Sequence, residues 1–241
     1  MEERPPTSAE FGEFPPVPPF TSEPPPPPPP AQPPTPSLIP WEQPGVDIFS
    51  AFFQTVRLLL SSPRRAYEQV PLTSNIGRPF AFGLIVSLIG TWAGIFWQLV
   101  LGEWWKSFLP GDTESVDTML QIGLGLSAPL WVPIVIILSV AFQHLCLFVV
   151  GGARSGFSGT MRAANYSWAP ALLALIPVCG QFVGGLWCLA LNIIGLSVVH
   201  RITLGRAALA VFLPAVLCCI LGVLMAALFG AAIFNAIGKA G

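Results

Sequence analysis

The chain contains one Gly-x-Ser-Gly sequence, Gly156 to Gly159, and one histidine downstream of it, His200. A serine becomes a nucleophile when a nearby base accepts its proton, so Ser158 and His200 are the pair that such chemistry would need. The motif also lies in a Gly/Ser-rich stretch between two arginines, and glycine and serine are common turn residues. We therefore interpret the motif as a turn and predict no catalytic residue.

Metal and cofactor chemistry has little support in the residues that usually perform it. The two histidines, His144 and His200, end apolar stretches, and we interpret them as interfacial polar groups or helix-end cations. The cysteines lie in apolar segments without a Cys-x-x-Cys or Cys/His ligand spacing. We predict no metal site and no cofactor. As small hydrophobic residues we expect these cysteines to be buried: Cys146, Cys179, Cys188, Cys218 and Cys219.

One helix face carries a periodic set of small and polar residues. Gly184, Cys188, Asn192 and Gly195 recur at intervals of four, four and three, which places them on one side of a helix. Small residues permit close helix–helix contact in lipid, and an asparagine amide finds a partner across such a contact. We predict that these four residues pack helices together; a substrate site is the alternative.

The composition places these residues in a membrane. Hydrophobic residues make up 53% and charged residues 10% of the chain, whereas soluble domains carry about 25% charged residues. No Asp, Glu, Lys or Arg lies within a predicted span, which disfavours ion-coupled transport and paired-carboxylate hydrolysis. The net charge of −1 provides no basic field, so we predict no nucleic-acid partner.

The N-terminal region begins with a tail. Residues 1–40 hold 17 of the 27 prolines and few apolar residues, and we predict a disordered proline-rich tail over 1–44. The tail is either a passive spacer or a ligand for an aromatic-grooved domain.

Two short helices are predicted over 45–79, the first with Asp47 as its N-cap and the second beginning at Ser62-Pro63. The first helix has one apolar face at helical spacing and is too short to span. We predict that both helices lie on the membrane, with Arg57, Arg64 and Arg65 contacting anionic headgroups. The alternative is that the apolar face packs on the protein's own spans.

The uncharged stretch 166–200 determines the number of spans. As one helix it would be about 52 Å long, well beyond a hydrocarbon core of about 30 Å. Pro177 and Gly180 interrupt it, so we predict two spans joined by a hairpin. The expected fold is an all-α polytopic helix bundle with 151–165 as a polar loop. Its five transmembrane helices are predicted over 80–101, 126–150, 166–180, 181–200 and 207–235.

The basic residues orient this bundle. With five spans, nine arginines lie on the N-terminal side and only Lys106 and Lys239 on the other, which predicts a cytoplasmic N-terminus. Gly90 and Gly94 in the first span have the four-residue spacing of close helix contacts. The excess of arginine over lysine, with abundant Ala, Gly and Pro, suggests a bacterial protein of the plasma (inner) membrane.

Several motifs in order carry a resemblance to a known family. They are Pro63 to Tyr67, Gly77 to Phe80, Asn165 to Pro170, Ile176-Pro177, Trp187, and His200 to Ala207. Over about 45–235 the chain resembles the Yip (Ypt/Rab-interacting) domain family, and 80–238 would be its transmembrane domain. The resemblance implies a non-enzymatic five-helix fold whose eukaryotic members bind Rab-type GTPases. Residues 60–80 lack the Asp-Leu-x-Gly-Pro stretch of those members.

Two functions remain from the sequence. The first is a membrane-organising or protein-interaction scaffold, which contacts the lipid bilayer and possibly a protein partner through its tail or interfacial helices; an oligomer is possible. The second is an uncoupled small-solute permease or lipid-handling protein that uses broken helices to bind its substrate. The breaks would lie at Pro129, Pro133, Pro170 and Pro177.

Overall fold

The computed structural model describes residues 38–106 and 118–240. Within these ranges the chain forms helices and connecting turns and no β-strand, which confirms the all-α prediction for this part of the protein. Residues 1–37, most of the predicted proline-rich tail, lie outside the described residues.

The last residues of the predicted tail are folded against the helical domain. Pro40–Glu42 form a 3-10 helix, and the side chains of Ile39 and Trp41 are buried. The Ile39 N–H donates to the Gln69 carbonyl oxygen at 3.0 Å. The tail boundary at residue 44 is therefore wrong, because two large apolar side chains enter a core that the sequence did not reveal.

Two short helices follow, as predicted. Helix α1 runs over Ile48–Ser61, and the Ser50 N–H donates to Asp47 Oδ2 at 2.9 Å, which confirms Asp47 as the N-cap. Helix α2 runs over Pro63–Glu68 with proline at its first position.

Four helices within the described residues are long and apolar enough to cross a membrane. They are α3 over Gly77–Lys106, α4 over Thr118–Val149, α6 over Cys179–His200 and α7 over Leu204–Ala240. Each extends past the corresponding predicted span on at least one side.

The predicted polar loop over 151–165 is wrong from Gly156 onward. Residues Gly156–Ser167 form helix α5, and its polar residues Thr160, Arg162 and Asn165 are buried. Their polarity suggested a solvated loop, but Thr160 and Arg162 are hydrogen-bonded to other segments of the protein and Asn165 Nδ2 donates to Met161 O within α5. The Gly-x-Ser-Gly motif is accordingly the first turn of a helix and not a loop turn.

The third predicted span, 166–180, is not a continuous α-helix. After α5 the chain continues as a 3-10 helix over Ala169–Leu175 and turns back at Val178, whose φ is +61°. Pro170 explains the change in helix type, because it has no N–H for an α-helical bond to Tyr166 and its ring crowds that carbonyl. The predicted hairpin near Pro177 is present.

Helix α5 and the 3-10 helix together run antiparallel along α6. At one end Gly159 lies against Val199 and His200, and at the other Gly180 lies against the Leu173 carbonyl. This two-part segment therefore covers the length of α6 although neither part is long enough to span by itself.

Helix α4 continues through both of its prolines, so the predicted breaks at Pro129 and Pro133 are wrong. Pro129 cannot donate to the Gly125 carbonyl, and the indole Nε1 of Trp92 on α3 donates to that oxygen at 2.9 Å. A neighbouring helix thus satisfies the freed backbone group, which is how transmembrane helices tolerate proline.

The core lies where α2, α3, α5 and α6 meet. Its centre is aromatic: Phe82 lies 5.2 Å from Tyr166 and 5.8 Å from Trp41 between ring centroids. Tyr67 on α2 is buried against α6. The N-terminal segment, residues 38–47, is therefore part of the same core as the long helices.

Candidate functional site

A buried ion pair joins the N-terminal segment to α5. The guanidinium of Arg162 is fully buried, and its Nε and Nη2 donate to the two carboxylate oxygens of Glu42 at 3.1 Å each. Nη1 donates to Thr73 O at 2.8 Å, and Nη2 donates to Thr73 Oγ1 at 2.8 Å and to Asn75 O at 2.5 Å. The Tyr166 hydroxyl donates to Glu42 Oε1 at 2.7 Å. Bidentate geometry and these further partners replace the water that both charges have lost.

Trp41, next to Glu42, fixes the same segment to two helices. Its backbone N–H donates to Thr55 Oγ1 on α1 at 2.9 Å, and its indole Nε1 donates to Arg78 O at 2.6 Å. Arg78 Nη1 donates in return to Trp41 O at 3.0 Å. The point where the N-terminal region joins the helical domain is therefore held by charged, polar and aromatic contacts together.

Helix α1 has two different faces. Ala51, Thr55 and Leu59 are buried against the domain. On the opposite side Phe49 and Phe53 are 73% and 65% exposed. The buried face fits the alternative in which α1 packs on the protein's own helices, and contact of the exposed face with the membrane stays a prediction.

The exposed aromatic side chains continue into exposed arginines. After the predicted cytoplasmic side of the N-terminal region, we call the following set of exposed residues the inner-face patch: Ile48, Phe49, Phe53, Arg57, Arg64 and Arg65. Arg64 Nε pairs with Glu68 Oε1 at 3.2 Å on the surface of α2. Contact of Arg57, Arg64 and Arg65 with headgroups stays a prediction.

The four predicted packing residues lie on α6 beside two different partners. A Cβ at Gly184 would lie 2.7 Å from Pro170 O, and one at Gly195 would lie 2.6 Å from Cζ of Tyr67. Cys188 and Asn192, between them, are half-buried. Asn192 Oδ1 is buried without a hydrogen-bonding partner among the described residues, so the expected partner for this oxygen is not found there. The packing role of the set stays a prediction.

Tyr67 also forms a polar contact with α5. Its hydroxyl donates to Ala163 O on α5 at 3.3 Å. Burial raises the pKa of Tyr67 well above its usual value, so the phenol stays protonated and keeps this donor.

The hydrogen bonds of His200 exclude one of its two sequence interpretations, the helix-end cation. Its Nδ1 accepts the Ser155 N–H at 3.1 Å, which assigns the ring proton to Nε2, and Nε2 donates to Thr160 Oγ1 at 3.0 Å. The Thr160 hydroxyl also forms a hydrogen bond with His144 Nδ1 at 2.8 Å. His200 is therefore a buried neutral group that joins helices, and not a helix-end cation.

The same bonds engage His200, which was the candidate base for Ser158. Thr160 and Ser155 occupy both ring nitrogens of His200, and the Ser158 hydroxyl has no hydrogen-bonding partner among the described residues. The residues that the structure describes contain no group of three His, Cys, Asp or Glu side chains close enough to hold a metal ion.

The cysteines are only partly as predicted. Cys146 is buried, whereas Cys179, Cys218 and Cys219 are exposed on α6 and α7. The prediction of burial is wrong for these three because an apolar segment in a membrane protein also has a lipid-facing side.

A groove of about 830 Å³ lies between α3 and α4. Trp168 and the start of α6, at Val178 and Gln181, complete its wall. Gly90 and Gly94 of the predicted close-contact pair also line it. A Cβ at Gly90 would lie 3.4 Å from Ala171 O, and one at Gly94 would lie 2.7 Å from Gln181 Nε2.

Sequence reasoning missed Arg162, Glu42 and Thr160. Arg162 and Glu42 are separated by 120 positions, and no local spacing indicates their pairing. The sequence contained one signal, the position of Glu42 beside Trp41. A large aromatic residue at the end of a proline-rich tail indicates that this segment packs against the folded domain.

The comparisons with known proteins agree with the helical architecture. The sequence model of the Yip1 domain matches residues 57–238, which is most of the chain. No curated protein and no solved structure matches the chain. The resemblance that the motifs suggested is thereby confirmed, and the chain belongs to the Yip1 domain family of membrane proteins.

Proposed function

We propose that the protein is a non-enzymatic scaffold that organises the membrane or its protein partners from the cytoplasmic side. Members of the Yip1 domain family are generally non-enzymatic membrane proteins. The observation that carries the proposal is the inner-face patch, in which exposed aromatic and cationic side chains stand on a helix whose other face is buried. Such a surface suits a headgroup region or a partner protein.

The buried Arg162–Glu42 pair supports this proposal. It ties the root of the N-terminal tail to α5, and Trp41 ties it to α1. Glu42 and Trp41 are therefore held beside α1, the helix that carries most of the inner-face patch. A partner that contacts the patch gains from this arrangement, because less conformational freedom is lost on binding.

The finer architecture belongs to the same proposal. We count α5 and the 3-10 helix as one crossing, which gives five crossings with the N-terminus in the cytoplasm. The antiparallel run along α6 supports this count. A bacterial inner membrane remains the proposed location.

The test is co-purification in mild detergent from native membranes. The full chain is compared with a chain that lacks residues 1–37 and with the double variant Phe49→Ser/Phe53→Ser. Leu72→Ser is the matched control, because Leu72 is an exposed apolar residue outside the patch. We expect one protein in near-equal amount that is lost from the truncated chain or the double variant and retained by the control. Equal recovery from all four proteins would overturn the scaffold proposal.

The permease or lipid-handling alternative is favoured by the groove between α3 and α4. Its test is solute uptake or lipid flip in proteoliposomes. Flux at the level of empty vesicles would leave the groove as a binding site only.

A further inference from the structure

The groove between α3 and α4 lies in the half of the bundle away from the N-terminal segment. Gln98 is near the far end of α3, and Gln181 is near the first residue of α6. Ser87 lies 11 residues before Gln98 on α3, about 16 Å deeper at the helical rise. From Gln98 inward, the groove therefore extends over about half of a hydrocarbon core of about 30 Å, which is the depth of one leaflet, and its lining continues outward to Gly102.

The walls are apolar and aromatic, and two indoles in them are fixed. Trp97 Nε1 donates to Ala174 O at 3.1 Å, and Trp131 Nε1 donates to Leu124 O at 3.1 Å. Both rings are thereby held in place beside the aliphatic residues of α4. A volume of about 830 Å³ lies in the range of ligand sites.

Four polar side chains in the groove have no hydrogen-bonding partner among the described residues, whereas Ser139 Oγ donates to Ile136 O at 3.0 Å. Gln98, Gln181 and Thr91 make no side-chain hydrogen bond to any described residue, and the same holds for Ser87. Gln98 and Gln181 are exposed on the groove, and an amide that faces hydrocarbon without a hydrogen bond is costly, so lipid tails alone are a poor occupant beside them. None of the described residues that line the groove is Asp, Glu, Lys, Arg or His. A suitable occupant therefore offers neutral hydrogen-bonding groups at one end and an apolar body at the other.

We propose that the groove binds one bilayer phospholipid. Its glycerol-ester carbonyl oxygens accept hydrogen bonds from the carboxamide N–H groups of Gln98 and Gln181, which lie at the depth where a leaflet holds its esters. One acyl chain then runs inward between Trp97 and Trp131. The inference is independent of the scaffold proposal, because it involves no residue of the N-terminal segment.

The first test removes the two carboxamides. Delipidated full-length protein in dodecyl maltoside is titrated with 1-palmitoyl-2-oleoyl-phosphatidylcholine, and bound lipids are counted by native mass spectrometry. We expect one high-affinity lipid per chain, and the double variant Gln98→Leu/Gln181→Leu should bind it about tenfold more weakly or worse. Gln143→Leu is the matched control, because Gln143 is a carboxamide on α4 outside the groove, and it should bind as the unmodified chain does.

A second variant keeps the proposal testable if the first one fails to fold. Val135→Trp fills the groove, whereas Leu138→Trp adds the same bulk to an exposed site on the same helix outside it. We expect loss of the high-affinity lipid in the first and retention in the second. Equal binding by all variants, or no lipid bound more tightly than the remainder, would overturn the proposal.

Discussion

Arg162 carries its charge inside the protein, where a carboxylate and backbone carbonyls replace the water that it has lost. Buried pairs of this kind add little net stability, but removal of one partner leaves the other charge uncompensated. The pair therefore matters most because it holds together two segments that are far apart in the sequence.

Arg162→Met tests this role of the ion pair. We expect a loss of about 3–5 kcal/mol in the free energy of unfolding, because Glu42 would stay buried without its counter-charge. Thermal unfolding in detergent measures the loss, and limited proteolysis near residues 38–47 reports undocking of the segment. Arg64→Met is the control: it breaks an ion pair whose side chains are 82% and 56% exposed, and such pairs contribute only about 0.3–0.5 kcal/mol. Similar losses in the two variants would contradict the assignment.

Trp92 is predicted to compensate for Pro129. Trp92→Phe removes the indole donor to Gly125 O and should cost about 1–2 kcal/mol. In a Pro129→Ala background the alanine N–H can donate to that oxygen, so the same substitution should cost clearly less. A double-mutant cycle on unfolding free energies measures the coupling, and the loss of ring area cancels between backgrounds. An equal loss of unfolding free energy in both backgrounds would show that the Trp92 hydrogen bond does not compensate for Pro129.

These residues show which features the sequence could and could not reveal. The Asp47 cap and the Pro63 helix start depend on side chains within three positions, and both could be predicted. The Glu42–Arg162 pair and the Trp92 bond to α4 depend on tertiary contacts. No spacing in the chain indicates them.

At the scale of the element, α6 and the segment before it are in contact because glycines leave room. Gly180 and Gly184 face the carbonyls of the 3-10 helix, and Gly159 faces α6 from the other side. The periodic small residues predicted a contact face but not its partner. Pro170 predicted a break in the helix but not a 3-10 continuation, which depends on packing against α3 and α6.

Neighbouring glycines on α6 provide a matched pair of variants. Gly184→Leu would force a side chain against Pro170 O, whereas a Cβ at Gly185 meets nothing within 4 Å. We expect Gly184→Leu to destabilise the protein by about 1–3 kcal/mol or more and Gly185→Leu to have little effect. Thermal unfolding with size-exclusion chromatography distinguishes them. Equal tolerance of both would mean that the 3-10 helix can move away freely.

At the scale of the whole molecule, two surfaces lie at opposite ends of one bundle. The N-terminal segment and the inner-face patch are at one end, and the carboxamides of the groove are toward the other. Membrane class and most span positions could be predicted from hydropathy, because a lipid environment constrains composition strongly. The groove could not, since it depends on how far α3 and α4 lie apart.

The number of crossings decides how these two ends relate to the membrane. If α5 and the 3-10 helix cross together, the turn at Val178 lies on the side opposite to the α6–α7 connection. Cys179 is exposed beside that turn and serves as a native probe after the other cysteines are replaced. Gly205→Cys in a cysteine-free chain marks the α6–α7 side, where a Cβ meets nothing within 4 Å. With a membrane-impermeant maleimide, Cys179 should react in intact cells and Gly205→Cys only after permeabilisation. If instead Cys179 reacts only after permeabilisation and Gly205→Cys reacts in intact cells, α5 and the 3-10 helix enter and return on one side, and the chain crosses four times.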